Sequence, residues 1–331
     1  MPLETIYVVR HGFRSSWSVD PVTGVYTANL RSPTGIPTDP ALTSHGVEQA
    51  NDLAEHLLGM QPQIEQVYSS PYYRCLQTIS PFVIKQNSLR PQNSSESGDA
   101  VQDDPMRIRA EAGFSEWYGR ARFEHPASAP LSQLLDLFAD LDADYASLPS
   151  PRRCGESIPE LYERVASSIQ AIISRSELEG RRSILICTHA AVVIILGRIL
   201  TGKIPDDANT EDFGCFTCGL SVYRRQGVDK SGLATDTNNT MNHSDHRALG
   251  SQDPGSSTTP EDLNCRISSS WACEANSDCS FLRSGEERGW KFSGDESFID
   301  FSDDGPQESE AAVEQATQDG QDSGRNRLLK L

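Results

Sequence analysis

Two short apolar runs, each followed at once by a histidine, constrain the fold of this sequence more than any other feature. Residues 5–10 read TIYVVR and lead into His11, and residues 183–188 read SILICT and lead into His189. Short runs rich in β-branched residues are typical of buried strands. The second run continues into residues 190–201, whose length and apolar character predict a buried helix.

Much of the sequence before residue 200 repeats this alternation of strand and helix. Apolar residues at helical spacing predict helices over 43–59, 74–83 and 131–141 and a longer one that starts at 155–157, and residues 66–69 predict a further strand. The stretch 13–42 is rich in proline and glycine, which predicts a long surface loop. The alternation favours an α/β fold with three layers, in which helices cover both faces of a mostly parallel sheet.

Charge and composition divide the chain into parts. The formal net charge is −18, and more than half of it lies beyond residue 229. The acidic residues are dense over 294–324, a pattern typical of a disordered segment, and an acidic surface disfavours bulk binding of nucleic acid. We expect a folded domain over 1–230 with a disordered insertion at about 86–105, a polar linker over 231–264, an apolar segment over 265–292 that packs on the domain, and a disordered acidic tail over 293–331.

The sequence shows no secretory or membrane-spanning pattern. We therefore expect an intracellular protein, cytoplasmic or nuclear, that does not bind membranes and keeps its thiols reduced. Cys215 and Cys218 have the spacing of a zinc knuckle, but no second closely spaced pair accompanies them. Buried or incidental thiols are the favoured interpretation of these two residues.

Polar residues follow the predicted strands, at the edge where such sheets place their binding sites. His11 and His189 each end a strand, Arg74 follows the strand at 66–69, and Glu116 lies in a later loop. Two histidines, several arginines and one carboxylate are the groups that phosphoryl transfer through a histidine nucleophile requires.

We assign His11 as the nucleophile, because a neutral imidazole is a competent nucleophile near pH 7. A hydrogen bond from one ring nitrogen to a backbone carbonyl would leave the lone pair of the other nitrogen facing the substrate. Arg10, Arg14 and Arg74 supply planar guanidinium groups that suit a phosphoryl group. His189 would donate a hydrogen bond or positive charge to the same oxygens and stabilise the transition state.

One carboxylate can supply the remaining proton transfers. The leaving group needs a proton, and hydrolysis of the phosphohistidine then needs a base. Partial burial beside the ring of Trp117 predicts a raised pKa for Glu116, which suits both steps. Glu111 is a weaker candidate for the same role.

Six motifs together resemble the histidine phosphatase superfamily, the phosphoglycerate-mutase-like proteins, over residues 4–225. They are VVRHGFR (8–14), ALTSHGVEQA (41–50), YSSPYYRCLQT (68–78), EAGFSEWYG (111–119), GESIPELYERV (155–165) and ILICTHAA (184–191). The resemblance implies site roles for six residues: His11 as the phosphorylated nucleophile, Glu116 as the proton donor, and Arg10, Arg14, Arg74 and His189 as the phosphate pocket. It also implies hydrolysis of a phosphate monoester, from a phosphorylated small molecule or a phosphoprotein, without a metal or organic cofactor.

Two departures from the family pattern favour a phosphatase over a mutase. Many members carry their acid as Glu-x-x-x-Gly, whereas Glu116 precedes Gly119 by three. The Phe-Ser-Glu-Trp form is similar to the branch of tyrosine-phosphatase-like suppressors of T-cell receptor signalling, which also carries an arginine matching Arg14. The usual Thr-His-Gly is replaced by Thr-His-Ala, with Ala190 in the place of a glycine.

A further resemblance, to the fungal tau subunits of the general transcription factor for RNA polymerase III, extends beyond the catalytic motifs. It rests on the start at 10–17, on SPYYRC (70–75), on THAA (188–191) and on FLRSGEERGW (281–290). It implies an assembly role with the subunits of a transcription complex. A scaffold subunit with weak or no catalysis therefore stays open as the alternative function.

Overall fold

A six-stranded mixed sheet lies at the centre of the part that the structure, a computed structural model, describes: residues 1–90, 104–227 and 271–292. In spatial order its strands are β5 (Ile108–Ala110), β4 (Gln66–Ser69), β6 (Ser183–Thr188), β1 (Thr5–Arg10), β7 (Leu220–Arg225) and β8 (Trp271–Asp278). The first four run parallel, and β7 pairs antiparallel with both β1 and β8. The predicted mostly parallel sheet is confirmed, with antiparallel pairs at one edge.

Helices cover both faces of this sheet. They are α1 (Ser44–Leu58), α2 (Tyr73–Ser88), α3 (Leu131–Leu137), α4 (Ile158–Leu178) and α5 (Ala190–Thr201). Successive residues of β1 point to opposite faces, as in any strand. Tyr7 and Val9 join a core with α1 and α2, while Ile6 and Val8 join a core with α4 and α5. The three predicted layers are therefore confirmed.

The register of the two central strands brings their carboxyl ends together. Arg10 of β1 lies opposite Thr188 of β6, so the residues that follow these strands leave the sheet at the same edge. The amide of His11 donates to the carbonyl of Thr188 at 2.9 Å and closes this end of the pair. His11 and His189 are neighbours because of this pairing.

Helix starts follow the capping signals in the sequence. The side chain of Thr43 caps α1 by accepting from the amide of Gly46, and Ser157 forms a capping box with Glu160 at the start of α4. The predicted ends of two helices, α2 and α3, were wrong. α3 stops at Leu137 instead of reaching 141, because the chain turns so that Leu141 can pair with β5.

The predicted insertion at about 86–105 begins too early. α2 continues through Pro81 to Ser88. The side chain of Asn87 then accepts from the amide of Met106 at 2.8 Å and donates to its carbonyl, which joins the two ends of the insertion. Residues 91–103 lie outside the described part of the chain.

Four features of the sheet region were not predicted, the first of them β5 (Ile108–Ala110). A hairpin of β2 (Trp17–Val19) and β3 (Tyr26–Ala28) lies within the predicted loop 13–42. β7 was also missed, and β8 comes from the apolar segment at 265–292. The predicted linker at 231–264 and tail at 293–331 lie outside the described residues. No helix in the described part is both long and apolar enough to cross a membrane.

Candidate active site

His11 is buried at the carboxyl end of β1 and is oriented by the backbone next to it. Its Nδ1 lies 2.9 Å from the carbonyl oxygen of Gly12. A proton on Nδ1 satisfies this carbonyl and leaves the lone pair of Nε2 free. Burial, and then the charges of Arg74 and Arg10, hold the pKa of His11 well below its usual value. The imidazole is therefore neutral near pH 7.

Arg10, the last residue of β1, offers one side of its guanidinium group to the cavity beside His11. Its Nη1 donates to the backbone carbonyls of Cys215, at 2.7 Å, and of Arg288. These two bonds account for both hydrogens of Nη1. Its Nε is buried and has no hydrogen-bond partner among the residues that the structure describes. A buried donor without a partner is costly, which favours an anion at this place.

Arg74 is fully buried in the first turn of α2. Its Nη1 donates to the carbonyl of Thr38 at 2.9 Å, and its Nη2 donates to Oε2 of Glu116 at 3.0 Å. Burial lowers the pKa of Arg74, but Glu116 and other neighbours raise it by more, so the net shift is upward. Arg74 therefore stays charged although it is fully buried.

Glu116 enters the site from the loop after a short 3-10 helix (Ala112–Phe114). Its Oε2 lies 3.2 Å from Nδ1 of His189 as well as 3.0 Å from Nη2 of Arg74. Burial alone would raise its pKa, as predicted, but His189 and Arg74 together lower it well below the usual value. The predicted raised pKa is therefore wrong for the ligand-free protein, in which Glu116 is ionised.

His189 directly precedes α5 and is fully buried. Its Nε2 lies 2.7 Å from the hydroxyl of Ser70. Burial lowers the pKa of His189, but Cys75 and Glu116 raise it by more, so the net shift is upward. A doubly protonated ring donates from Nδ1 to Glu116 and from Nε2 to Ser70. The ring then adds positive charge 5.4 Å from the ring of His11.

Arg14 and a group of aromatic residues complete the cavity. The cavity has a volume of about 410 Å³, and its lining includes Arg10, His11, Arg14, Trp17, Glu116, Trp117, Tyr118, Ala190 and Trp290. Burial, and then Arg74, lower the pKa of Arg14 to about 10, so it remains charged near pH 7. Cavities of 510 and 860 Å³ lie elsewhere, but neither is lined by a histidine.

Two residues that support the site were not predicted. Asp39 accepts from the amide of Tyr73 at 2.7 Å and lies 3.5 Å from Nη1 of Arg74, so it holds both the helix start and the arginine. Burial raises the pKa of Asp39 to about 6, although Arg74 opposes the shift. Ser70 holds His189. Ser70 lies inside a recognised motif, whereas Asp39 lies in a loop that showed no pattern.

Glu111, the weaker candidate for the acid, has a structural role. Its carboxylate accepts from the amide of Gly113 at 2.7 Å, the hydroxyl of Tyr145 at 2.5 Å and the hydroxyl of Ser147 at 3.1 Å. It also accepts from the amide of Leu148. These bonds occupy the carboxylate and fix the loop that carries Glu116.

The donor atoms of the site would suit a metal ion by distance alone. One atom from each of His11, Glu116 and His189 lies within 4.8 Å of the other two, and no such cluster among the described residues includes Cys215 or Cys218. Three guanidinium groups surround these atoms, however, and they repel a cation. The charge of the cavity therefore favours a tetrahedral oxyanion.

The match to a known family agrees with this geometry. The family model of the histidine phosphatase superfamily (branch 1) matches residues 6–234, which include every residue of the site except Trp290. The chain belongs to the histidine phosphatase superfamily. This assignment to the superfamily confirms the resemblance found in the sequence.

Proteins similar to this histidine phosphatase superfamily member include a transcription factor subunit and a phosphatase. The transcription factor tau 55 kDa subunit of Saccharomyces cerevisiae is 30% identical over 300 residues, which are 88% of this chain and 59% of the yeast protein. The ecdysteroid-phosphate phosphatase of Drosophila melanogaster is 30% identical over 182 residues, which are 54% of this chain and 22% of the fly protein. The chain thus covers less than two thirds of either relative.

Solved structures also resemble this histidine phosphatase superfamily member. The ecdysone phosphate phosphatase of Bombix mori, solved in complex with tungstate, aligns with 74% of this chain and 98% of its own length. The two chains are 19% identical, with a TM-score of 0.47.

Proposed function

We propose that this protein hydrolyses phosphate monoesters through a phosphohistidine at His11. The observation that carries the proposal is the environment of His11. Its Nδ1 lies 2.9 Å from a backbone carbonyl, which leaves the lone pair of Nε2 for a substrate, and burial with two arginines lowers its pKa. The Nε of the adjacent Arg10 has no hydrogen-bond partner among the described residues. A free lone pair next to buried positive charge suits attack on a phosphoryl group.

In the first step, Nε2 of His11 attacks phosphorus and the bond from phosphorus to the ester oxygen breaks. Arg10, Arg14 and Arg74, together with protonated His189, stabilise the charge on the phosphoryl oxygens. Glu116, which takes up a proton from solvent when the substrate binds, gives that proton to the leaving oxygen. The bound phosphate makes this possible, because its negative charge lies beside Glu116 and raises the pKa of that carboxyl again.

In the second step, water attacks the phosphorus and the bond between phosphorus and Nε2 breaks. Glu116, now ionised, accepts a proton from the water. Inorganic phosphate leaves, and His11 regains its lone pair. One carboxylate thus serves as acid and then as base, and the protons balance over the cycle.

Hydrolysis of an aryl phosphate near neutral pH tests the proposal. We expect His11→Ala to abolish turnover, because no other group at the end of β1 can form the covalent intermediate. Tungstate binding and thermal melting of the variant serve as controls, since both should survive. Turnover that persists in this variant would contradict the mechanism.

The aromatic walls of the cavity support a substrate with a flat leaving group, either a phosphorylated small molecule or a phosphoprotein. Trp17, Trp117 and Trp290 each line the cavity. Aryl phosphates and phosphotyrosine peptides should therefore be turned over with a lower KM than simple alkyl phosphates. A panel of the three classes under one set of conditions measures this.

A second function, in a transcription complex, is supported by the extent of one match. The similarity to the yeast tau subunit covers 88% of this chain, more than the match of residues 6–234 to the family model. We infer that the protein also serves as a subunit of such a complex and is then nuclear. Affinity purification of the tagged full chain and of His11→Ala should recover the same co-purifying subunits.

A further inference from the structure

The segment at 281–292, named the strap, packs across the domain beside the active site. The ring of Phe281 stacks on His56 at a centroid distance of 4.2 Å. Further along, the carbonyl of Trp290 accepts from the thiol of Cys215 at 3.1 Å, and the side chain of Trp290 lines the cavity. The strap lies outside the residues that match the family model.

One carbonyl of the strap contacts the site directly. The carbonyl of Arg288 accepts from Nη1 of Arg10. Arg288 has a φ of 50°, a left-handed conformation that is uncommon for a residue with a Cβ. Its guanidinium group lies 4.2 Å from the centre of the Phe13 ring, two residues after His11. Both the backbone and the side chain of Arg288 therefore pack against the loop that carries the nucleophile.

Glu287 fixes the strap in this position. Its Oε2 accepts from Nε2 of Gln49 at 2.8 Å and lies 2.5 Å from Nε2 of His45, and its carbonyl accepts from the amide of Thr217 at 3.1 Å. Oε1 of Gln49 in turn accepts from the amide of Phe13 at 2.9 Å. The side chain of Glu287 thus links the strap directly to α1 and, through Gln49, to the loop after His11.

We propose that Glu287 is a positioning residue for Arg10: it holds the Arg288 carbonyl against Nη1, so that Nε and Nη2 meet the phosphate as a fork. A planar fork binds two oxygens only in one orientation. Among the described residues, the hydrogen bonds of Arg10 go to backbone carbonyls, and none goes to a carboxylate that could orient the guanidinium group. The inference rests on the proposed function, because it concerns how a phosphate is bound.

Calorimetric titration of the full chain with tungstate, a tetrahedral oxyanion, tests this role. Glu287→Ala should raise the Kd for tungstate and the KM for an aryl phosphate about tenfold, as expected for loss of a hydrogen bond to a charged group, with little change in kcat. Glu287→Gln keeps an acceptor for Gln49 and should stay close to wild type. Glu286→Ala removes the same charge from the exposed neighbouring residue and serves as the matched control.

A double-mutant cycle separates positioning from general stability. If Glu287 acts through Arg10, adding Glu287→Ala to Arg10→Ala should weaken tungstate binding no further. The inference is overturned if Glu287→Ala binds tungstate like Glu286→Ala, even where its melting temperature falls. It is also overturned if the loss of tungstate binding in Glu287→Ala adds fully to the loss in Arg10→Ala. Retained turnover in His11→Ala would overturn the proposed function instead, and the tungstate titrations would still decide the role of Glu287.

Discussion

The charge of each site residue depends more on its neighbours than on the ordinary pKa of its side chain. His11 is neutral because burial and two arginines oppose its protonation, whereas His189, 5.4 Å away, is kept charged by Cys75 and Glu116. The pKa values of two buried histidines are therefore shifted in opposite directions. These shifts favour a nucleophilic imidazole at His11 and a positive charge at His189.

These opposite shifts predict the pH dependence of the reaction. The pKa of His11 is lowered, so its lone pair is lost only when the pH falls well below 6.5. The pKa of His189 is raised, so its charge is lost only as the pH rises above 6.5. At pH 6.5 we expect nitrogen-15 NMR of labelled histidine to find His11 neutral and His189 protonated, with the wild type near its highest kcat/KM. Titration of both rings at about 6.5, the ordinary value, would contradict this.

At this scale the positions of the two histidines were predictable and the environment of the site residues was not. His11 and His189 follow apolar strands directly, so their place at one sheet edge follows from the pattern. The lowered pKa of Glu116 depends on Arg74 and His189, which lie 42 and 73 positions away in the sequence. No local pattern reports a contact of that kind.

At the scale of elements, the start of α1 supports the nucleophile loop through very close packing. The carbonyl of Phe13 accepts from the amide of Thr43 at 2.9 Å. A Cβ on Gly46 would lie 2.0 Å from the same carbonyl oxygen, which belongs to the backbone and cannot rotate away. Only glycine at this position lets the helix approach the loop so closely.

Gly46→Ala should therefore destabilise the protein by about 1–3 kcal/mol and lower turnover, because the loop that carries His11 must move. Gly59→Ala is a matched control at the other end of the same helix, where the nearest atom lies 3.5 Å from the added Cβ and φ is −87°. That variant should be neutral or slightly stabilised. Chemical denaturation and kcat of both variants measure the difference, and equal effects would disprove the role given to Gly46.

The strands whose bounds were predicted most closely are those with continuous apolar runs. The bounds of β1 and β6 agree with their runs because both strands are buried on both faces. β2 and β3 have three residues each, too few to show a period of two, and β8 contains polar residues because much of it is only partly buried. Tertiary pairing, which the sequence does not display, forms these strands.

At the scale of the whole molecule, the densest acidic sequence and the active site occupy different parts of the chain. The formal net charge is −18, yet Arg10 and Arg14 line the cavity, and Arg74 and His189 lie buried beside His11. The acidic residues are densest over 294–324, beyond the strap. Phosphate binding therefore depends on a local excess of positive charge and not on the balance of the whole protein.

Truncation separates the strap from the acidic tail. A chain that ends at residue 293 should keep the kcat/KM and melting temperature of the full protein, because the removed sequence has few apolar residues to bury. A chain that ends at residue 280 loses the strap, and with it the carbonyl of Arg288 on Arg10, so it should bind tungstate more weakly. Calorimetry and thermal melting of both chains measure this. A large loss of kcat/KM or of melting temperature in the chain that ends at residue 293 would show that the tail is part of the folded unit.

The strand order also affects how the protein can be made on a ribosome. Among the six strands of the sheet, β1 is synthesised first, but its neighbours, β6 and β7, begin at Ser183 and Leu220. Pairing between strands so distant in sequence is slow, and an unpaired apolar strand is prone to aggregate. The nascent chain therefore leaves the exit tunnel with the strand of its nucleophile unprotected, and a chaperone that shields apolar segments should raise the yield of folded protein. Its active site is completed only when the strap emerges.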